Sequence, residues 1–442
     1  MKLSTISDSL RTIGREPKQS LGQNFLHDQN VARWIVDQLE LQPGEPWVEV
    51  GPGLGALTEF AVAKSANGLV IEKDGKLVDF LRAQFPKIEI IHGDASEFDT
   101  RELFARGPVK VVGNLPYYIS SQILIGWTDQ PSPVGRLVFT LQKELAERLS
   151  GEPRTKAYGA LTLLVGRRWH VHFARKLPPS VFMPAPRVES AVVVLTPRDP
   201  AELPPCDGAA FRRLVKRGFA KRRKMLRKNI GDEVEDWGAF CRALELPETV
   251  RAEELDLAKW IEITNFVGGQ AGAAQDVHGE VFDVVDENDR VLRQATRHEV
   301  HTQSLRHRAV HIFVFNQQGD LFLQRRSRGK DQHPLRWDSS AAGHVEAGQT
   351  YDATAPREVA EELGVDATCT RIGELLAGPQ TGWEFVHLFR SSHEGPFRLA
   401  PAEIDCGGFF TLDQIDRWIA ARPGDFAPGF LECFRLFRAQ SL

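Results

Sequence analysis

Short apolar runs alternate with amphipathic stretches along roughly the first 196 residues. The apolar runs read WVEV, GLVIE, IEIIHG, VKVVGN, RLVFTLQ and SAVVVLT, and β-branched residues are frequent in them. Runs of this length and composition predict buried strands, and the stretches between them predict helices. The pattern therefore predicts an α/β domain with a doubly wound, mostly parallel sheet that has helices on both faces.

The pattern changes twice after this region. Residues 200–266 show helical periodicity and no convincing strand, which predicts a small helical subdomain. The stretch VGGQAGAAQ consists mainly of small residues and is typical of an interdomain linker. From Asp276 onward, the strands GEVFDVVD, HIFVFNQ and LFLQRR and a helix near 350–363 predict an α+β domain. The predicted organisation is a catalytic domain, a helical subdomain, a linker and a second domain, at residues 1–198, 199–266, 267–275 and 276–442.

Composition adds limits to this picture. A chain of 442 residues is too long for one core. It has no uncharged apolar run of about 18 residues, and its first twenty residues lack a signal-peptide core, so we expect a cytoplasmic protein with no membrane partner. The five cysteines have no CxxC pair or metal-ligand spacing, so we do not expect a disulfide framework.

The net charge of -4 conceals a basic segment, residues 211–231. Its sequence, FRRLVKRGFAKRRKMLRKNIG, contains ten Lys or Arg and no acid. A solvated helix face usually carries compensating acids, so this imbalance favours a polyanion such as nucleic acid as a partner.

A glycine-rich loop follows the first strand of the predicted sheet. In VEVGPGLGALTEF, Gly51, Gly53 and Gly55 stand between a strand and a helix, where glycine allows a tight turn and close approach to a ligand. With Ala56 the loop also satisfies the dinucleotide pattern G-x-G-x-x-A. An NAD-binding oxidoreductase therefore stays possible on this motif alone.

Two acids follow the next two strands. Glu72 ends GLVIE, where a carboxylate can accept both hydroxyls of a ribose, and Asp94 in IIHGDASEF is placed to bind an adenine amino group. Ligands of doubly wound sheets bind at these carboxyl ends of the strands. With the glycine loop, the two acids predict an adenosine pocket.

The segment VGNLPYYIS, residues 112–120, predicts the chemistry. The side-chain oxygen of Asn114 and a neighbouring carbonyl can accept the two N–H groups of an exocyclic adenine amine, which makes that nitrogen a better nucleophile. Pro116 stiffens the turn, and Tyr117 offers a face on which a flipped base can stack. Catalysis would then rest on positioning an in-line methyl transfer from a sulfonium.

Six motifs together resemble the ribosomal RNA adenine dimethyltransferase family over about residues 11–266. They are SLGQNFLHD, VGPGLGALT, VIEKD, HGDA, NLPYYIS and VFMPAPRVESAVVVL, in that family's order and spacing. The resemblance implies a Rossmann-like, S-adenosylmethionine-dependent enzyme that makes N6,N6-dimethyladenosine at two adjacent adenines near the 3′ end of small-subunit ribosomal RNA. It favours this housekeeping enzyme over the macrolide-resistance relatives that methylate large-subunit RNA.

The resemblance, together with the glycine loop, implies three sets of residues. The cofactor-binding set is Asn24, Leu26, Gly51, Gly53, Glu72, Asp94 and Asn114. The catalytic set is Asn114, Leu115, Pro116, Tyr117 and Phe182, in which Tyr117 and Phe182 sandwich the target adenine. The RNA-binding set, in FAKRRKMLRKN, is Lys221, Arg222, Arg223, Lys224 and Arg227. A ribosome-assembly factor that binds the pre-ribosomal small subunit without catalysis is the alternative.

The sequence GHVEAGQTYDATAPREVAEELGV, residues 343–365, resembles the Nudix box G-x5-E-x7-R-E-U-x-E-E-x-G-U. Glu358, Glu361 and Glu362 are spaced to share one helix face, and clustered carboxylates suit Mg²⁺. The resemblance implies hydrolysis of a nucleoside or other diphosphate. Two departures, Gln349 in place of Glu and Pro356 within the helix, are expected to weaken metal binding or to distort the helix.

The preceding segment, residues 305–344, resembles the Nudix branch that includes isopentenyl diphosphate isomerase. By that resemblance His301, His307 and His344 are candidate metal ligands. The cysteine that isomerases use has no counterpart in DSSAAGH, which favours hydrolysis. An isomerase-like activity and a non-catalytic binding module are the alternatives for this domain.

Overall fold

The computed structural model describes residues 10–11, 14, 24–268 and 279–440. The chain divides into two compact units, Met1–Leu203 with Arg212–Trp260, and Pro204–Phe211 with Ile261–Leu442. The predicted helical subdomain falls mainly in the first unit. The predicted linker lies outside the described residues except for Val267 and Gly268, so the four domain boundaries remain predictions.

The first unit is built on a seven-stranded sheet in the order β4-β3-β2-β5-β6-β9-β7. The first five strands in this order, from β4 through β3, β2 and β5 to β6, pair in parallel. Strand β9 is antiparallel to both β6 and β7. A separate two-stranded pair joins β1 to β8. The strands are β1 (Phe25–Leu26), β2 (Trp47–Val50), β3 (Gly68–Glu72), β4 (Glu89–His92), β5 (Val109–Asn114), β6 (Val134–Gln142), β7 (Trp169–Leu177), β8 (Phe182–Met183) and β9 (Ser190–Pro197).

This sheet confirms the predicted α/β class, because apolar residues on both of its faces are buried. Val48 and Val111 pack in one core, and their neighbours Trp47 and Val112 pack in a second core on the opposite face. Strand β7 was missed because its sequence, WHVHFARKL, mixes charged and apolar residues. It is an edge strand, where exposed polar side chains are tolerated.

Two helices at the sheet of the first unit begin at aspartate caps. Asp28 accepts hydrogen bonds from the backbone N–H groups of Asn30 and Val31, and Asp74 accepts one from Lys76, which satisfies donors that a helix start leaves free. The helices of the sheet region are α1 (Gln29–Asp37), α2 (Thr58–Lys64), α3 (Gly75–Gln84), α4 (Ser120–Thr128), α5 (Lys143–Leu149) and α6 (Ala160–Gly166). The region after the sheet contains α7 (Gly208–Gly218), α8 (Arg227–Ile230), α9 (Trp237–Ala243) and α10 (Leu257–Val267).

The second unit contains the predicted α+β arrangement. A mixed sheet runs β14-β13-β12-β17-β16, with β15 added to β12 and β18 added to β13, and β10 and β11 form a separate hairpin. The strands are β10 (Val281–Val285), β11 (Val291–Thr296), β12 (His307–Phe315), β13 (Leu321–Arg326), β14 (Trp337–Asp338), β15 (Ala341–His344), β16 (Thr370–Leu375), β17 (Glu384–Ser392) and β18 (Ile404–Phe410). The helices are α11 (Arg297–Thr302), α12 (Tyr351–Leu363), α13 (Leu412–Ala421) and α14 (Pro428–Gln440).

Helix α12 carries the acidic motif and is continuous. Thr350 caps its start by accepting from the N–H of Ala353, and Gly364 ends it in a left-handed conformation, with φ at 67°. Pro356 lies inside this helix without interrupting it, and its expected effect on the turn that presents Glu358 stays a prediction. A proline in a helix removes one N–H donor, and the flanking turns of α12 form without it. None of the helices in the described ranges is long and apolar enough to cross a membrane.

Candidate functional site

A cavity of about 370 Å³ lies at the carboxyl ends of β2, β3 and β5 in the first unit. Its volume falls in the range of sites for small ligands. The residues of the predicted cofactor set and most of the catalytic set line it, namely Asn24, Leu26, Gly51, Gly53, Glu72, Asp94, Asn114, Leu115, Pro116 and Tyr117. Parallel strands bring Glu72, Asp94 and Asn114 together because the carboxyl ends of these strands share one edge, whereas Asn24 and Leu26 come from the segment at β1.

The glycine loop shapes one wall of this cavity. Gly51, Gly53 and Gly55 have φ values of 64°, 58° and 81°, which side chains with a Cβ rarely adopt. The N–H of Gly53 donates to Oε2 of Glu72 at 3.2 Å, and the N–H of Asp74 donates to its Oε1 at 2.9 Å. Burial raises the pKa of Glu72, and these two donors partly offset the effect. The loop and the ribose-binding candidate are thus one hydrogen-bonded unit.

Asp94 already has partners in this structure. Nζ of Lys73 lies 2.5 Å from its Oδ2, and the N–H and hydroxyl of Ser96 donate to its Oδ1 at 2.9 and 2.7 Å. The hydrogen bond from Lys73 is the main reason that the pKa of Asp94 falls to about 2. An adenine amine that binds Asp94 would therefore share its ionised carboxylate with Lys73.

The amide of Asn114 is oriented by the chain segment before α1. Its Nδ2 donates to the backbone carbonyl of Asn24 at 2.8 Å, which leaves Oδ1 as the acceptor for a ligand. The preceding residue must be glycine, because a Cβ on Gly113 would lie 2.8 Å from the carbonyl oxygen of Val50. Sequence and packing therefore place an amide oxygen at the cavity wall.

The two predicted aromatic contacts differ in their surroundings. The hydroxyl of Tyr117 lies 2.5 Å from Oγ of the buried Ser190, which fixes the ring at the cavity. Phe182 is only 3% exposed, belongs to a core cluster beside Leu26 and is absent from the cavity lining. The predicted sandwich of an adenine between Tyr117 and Phe182 remains a prediction, and it requires a different environment for Phe182.

Glu49 is a cavity residue that the sequence reasoning missed. It is 1% exposed, and its Oε2 accepts a hydrogen bond from Oγ1 of Thr58 at 2.6 Å. Burial, together with repulsion from Glu72, raises its pKa to about 8 against the effect of Thr58. The available signal was a charged residue within the buried strand WVEV.

The second unit places the acidic motif beside a glycine. A Cβ on Gly343 would lie 2.2 Å from Cδ and 2.4 Å from both carboxylate oxygens of Glu358, so only glycine fits there. Oε2 of Glu362 accepts hydrogen bonds from Nε2 of Gln324 and the N–H of Ala342, at 3.0 and 3.3 Å. The structure therefore brings Glu358 and Glu362 towards the end of β15.

The third predicted metal ligand, Glu361, is exposed and lies 3.2 Å from Arg357. Burial raises the pKa of Glu358 to about 8, with a further contribution from Glu362, and burial raises that of Glu362 to about 7. A divalent cation would favour the ionised forms of both acids. Gln349, where the box has Glu, is exposed.

Three histidines from separate elements meet in the same unit. Nitrogens of His301 in α11, His307 in β12 and His344 in β15 lie within 4.8 Å of one another. Oε1 of Glu384, at the start of β17, lies 3.2 Å from Nε2 of His344 and 3.5 Å from Nε2 of His307. Sequence reasoning missed Glu384, which only strand pairing brings to the histidines.

The protonation of this cluster suits a metal ion. Burial lowers the pKa of His344 and takes that of His301 to about 4, so these rings are neutral near pH 7. Burial alone would raise the pKa of Glu384, but the neighbouring His307 and His344 keep it low. Nδ1 of His307 lies 2.9 Å from the carbonyl of Leu305, which leaves its Nε2 for a ligand.

Comparison with known proteins identifies a family for each part of the chain. The model of the ribosomal RNA adenine dimethylase family matches residues 14–267, more than half of the chain. The chain belongs to the ribosomal RNA adenine dimethylase family. The NUDIX domain model matches residues 305–430, so this dimethylase carries a C-terminal Nudix domain.

The dimethylase part resembles bacterial proteins over nearly their whole length. Ribosomal RNA small subunit methyltransferase A of Xanthobacter autotrophicus is 40% identical over 271 residues, which cover 60% of this chain and 93% of that protein. The protein of the same name from Myxococcus xanthus is 42% identical over 267 residues, with coverages of 59% and 94%. A crystal structure of a dimethyladenosine transferase from Plasmodium falciparum aligns at 19% identity and a TM-score of 0.47, covering 56% of this chain and 98% of that one.

The basic segment of the dimethylase contains two kinds of cation. Lys221, Arg223, Lys224 and Arg227 are exposed. Arg222 is exposed as well, but its guanidinium is hydrogen-bonded to Glu253 and to the backbone of Thr155. Sequence reasoning grouped all five as RNA contacts and gave no sign of this difference.

Proposed function

We propose that the first unit uses S-adenosylmethionine to dimethylate N6 of two adjacent adenines near the 3′ end of small-subunit ribosomal RNA. The main support is Asn114, which lines the cavity and whose Nδ2 is held by the carbonyl of Asn24, so that Oδ1 is its atom available to accept from a ligand. Family membership, the cavity volume and the glycine loop support the cofactor. The names of the relatives support the small-subunit RNA as substrate.

The residues of the cavity would do three things in this reaction. Glu72 would accept hydrogen bonds from a ribose, and Asp94 would accept one from the adenine of the cofactor. Asn114 would hold the target amine, and Tyr117, fixed by Ser190, would stack on the target base. The bound cofactor supplies an electrophilic methyl group. No general base is needed before the attack, because the neutral amine already carries the lone pair that attacks the methyl group. Catalysis therefore rests on positioning the amine and the methyl group.

Transfer of a second methyl to the same nitrogen fits this arrangement. A monomethylated amine retains one N–H that Oδ1 of Asn114 can accept, so no second binding mode is needed. The product of two transfers at each of two adenines would be four methyl groups per RNA.

The test uses the full chain, unmethylated small ribosomal subunits and labelled S-adenosylmethionine. Digestion of the RNA should yield N6,N6-dimethyladenosine, and its absence would rule out the assignment. Asn114→Ala should lower the methylation rate about a hundredfold or more while cofactor affinity changes little. Equal losses in rate and cofactor affinity would contradict its role in holding the target amine.

The variant Glu72→Ala distinguishes the proposed methyltransferase from the alternative, a non-catalytic assembly factor. This change should abolish cofactor binding and methylation. If subunit maturation in cells depends on methylation, it should fail as well. Normal maturation with the Glu72→Ala protein would instead support the assembly role.

For the second unit we propose metal-dependent hydrolysis of a diphosphate compound. The support is the buried pair Glu358 and Glu362 beside Gly343, because carboxylates at this spacing suit Mg²⁺. A bound metal supplies charge neutralisation at phosphate and a more acidic water. Glu361 would take part only by turning away from Arg357.

The histidine cluster supports a second, nitrogen-rich metal site. Neutral imidazoles with one carboxylate suit Zn²⁺ or a similar transition metal better than Mg²⁺. The absence of cysteine between Asp338 and His344 favours hydrolysis over isomerisation.

The experiment assays the full chain with Mg²⁺ against nucleoside and prenyl diphosphates. A Glu358→Gln, Glu362→Gln double variant serves as the control and should lose turnover. Turnover that survives in the double variant would refute the carboxylate site. Isomerisation of isopentenyl diphosphate would overturn the preference for hydrolysis, and metal or ligand binding without turnover would support a binding module.

A further inference from the structure

One arginine of the basic segment joins it to a loop of the sheet region. Nε of Arg222 donates to Oε2 of Glu253, and its Nη2 donates to the backbone carbonyl of Thr155, both at 3.0 Å. The backbone N–H of Arg154 donates to the carbonyl of Glu253 at 2.8 Å. These bonds hold the loop between α5 and α6 against the region after the sheet.

The conformation of this loop is imposed by its contacts. Arg154 has a φ of 69°, in the left-handed region that residues with a side chain rarely adopt. At the other end of the loop, the hydroxyl of the buried Tyr158 donates to the carbonyl of Leu255 at 2.6 Å. Strain of this kind persists only where surrounding structure holds it, so the position of the loop is specified.

The result is a group of cations without counter-ions. Arg154 and Lys156 in the loop, and Lys221, Arg223 and Lys224 in the basic segment, are all exposed. Within the described ranges, none of the five forms a salt bridge, whereas their neighbour Arg222 is paired. The nearby acids are Glu152, which is exposed in the same loop, and Glu253, which pairs with Arg222, so the five cations outnumber the acids at this surface.

We propose that these five cations form one composite phosphate-binding surface for RNA. Arg154 and Lys156 contact phosphates directly, and Arg222 is a positioning residue that holds their loop beside Lys221, Arg223 and Lys224. The inference rests on the proposed RNA substrate and extends its binding surface to a loop outside the basic segment. Phosphate contacts position an enzyme on RNA without reading its sequence, so this surface supplies affinity.

The first test measures binding of the full chain to unmethylated small subunits and to a synthetic RNA hairpin between 50 and 200 mM salt. Each lost phosphate contact should flatten the slope of log affinity against log salt by about 0.7–0.9. Arg154→Gly, Lys156→Gln should therefore flatten it by about 1.4–1.8, and glycine suits the left-handed backbone at position 154. Arg154→Lys, Lys156→Arg should keep the slope.

A control removes two cations at the opposite edge of the sheet. Arg82→Gln, Lys87→Gln changes exposed residues in and after α3, of which Arg82 lies 3.9 Å from Asp79, and should leave the slope unchanged. An unchanged slope in the Arg154→Gly, Lys156→Gln protein would overturn the direct contacts. A slope flattened equally by the control would do the same, because it would indicate a general charge effect.

The second test examines Arg222 through its partner. Removing the negative charge of Glu253 near an RNA surface should tighten RNA binding if only long-range charge matters. If Glu253 positions Arg222 and the loop, Glu253→Gln should weaken binding about three- to fivefold, the size of one exposed ion pair. It should raise KM for small subunits with kcat within about twofold. Arg222→Ala should weaken binding at least as much, because it also removes the bond to the carbonyl of Thr155.

Tighter or unchanged binding of the Glu253→Gln protein would refute the positioning role. Cofactor binding by each variant checks that the cavity is intact. These experiments distinguish failure of this surface from failure of the proposed function. If the variants show the expected salt slopes but the wild-type protein forms no dimethyladenosine, the surface is supported and the methylation assignment is refuted. If the variants bind with the wild-type salt slope and the wild-type protein forms dimethyladenosine, the methylation assignment stands and the proposed surface is refuted.

Discussion

Replacement of Glu49 by Gln should change the pH dependence of stability in the dimethylase unit. The carboxyl group is 1% exposed and has Thr58 as its hydrogen-bond donor. Burial raises its pKa to about 8 from the ordinary value of 4.5. Gln has nearly the same shape and can accept the same hydrogen bond, so the variant removes ionisation with little change in packing.

The sign follows from the raised pKa. A carboxyl group that holds its proton more tightly in the folded state contributes stability that is fully present below pH 4.5 and is lost as pH rises through about 8. Each pH unit in that window is worth ~1.4 kcal/mol, so the wild type should lose up to about 2.7 kcal/mol between pH 6 and 8. For a domain of this size, that corresponds to roughly 5–10 °C in Tm. The Glu49→Gln variant lacks this ionisable group, so it should not show this loss of stability between pH 6 and 8.

The assay is calorimetry of both full-length proteins without cofactor at several pH values. Addition of S-adenosylhomocysteine identifies the dimethylase transition, because a ligand raises the Tm of the unit that binds it. The Tm of the Glu49→Gln protein minus that of the wild type should increase steadily from pH 6 to pH 8. A difference that stays constant over this range would refute the reasoning.

Glu45 provides the matched control. The pKa of Glu45 is lowered, because hydrogen bonds from Lys110 and Gln42 outweigh the opposite effect of burial. Its stabilising effect is present above the unfolded pKa and is lost only as pH falls through the folded pKa. The difference between Glu45→Gln and the wild type should therefore not vary between pH 6 and 8.

Three further predictions concern contacts seen in the two units. Tyr117→Phe and Ser190→Ala should each lower the methylation rate several-fold with cofactor affinity retained, and the double variant should be no worse than either single one; additive losses would argue against a shared hydrogen bond. Gly343→Ala should displace Glu358, destabilise the Nudix unit by about 1–3 kcal/mol in thermal unfolding and abolish Mg²⁺-dependent turnover; an unaffected Tm would contradict the packing. Lys73→Met should tighten cofactor binding up to about fivefold in calorimetry if the lysine competes for Asp94, and weaker binding would show that it assists.

The sequence determined the class of each unit and most of the predicted residues that line the cavity of the first unit. Apolar runs such as VKVV can be buried on both faces only in a covered sheet, so local pattern was sufficient to predict the central strands of the first unit, but not its edge strand β7. Glu72, Asp94 and Asn114 could be grouped because a parallel sheet brings the carboxyl ends of its strands to one edge. The spacing of Glu358 and Glu362, one helical turn apart, likewise predicted that they lie together.

Only the tertiary structure decided which partners these groups have. Arg222 meets Thr155 and Glu253 across 67 and 31 residues of sequence, and no local pattern encodes such a contact. Glu361 shares a helix with its two neighbours but lies on the side that faces solvent, because burial depends on what packs against the helix.

The same holds for the charge states of the two sites. Glu49 and Glu72 have raised pKa values because the folded chain removes water from both carboxylates, and Glu384 has a lowered one because pairing of β12 with β17 brings histidines to it. Residue type gives the possible ionisation of a side chain. Desolvation and distance set its actual pKa, and both are properties of the folded chain rather than of any segment.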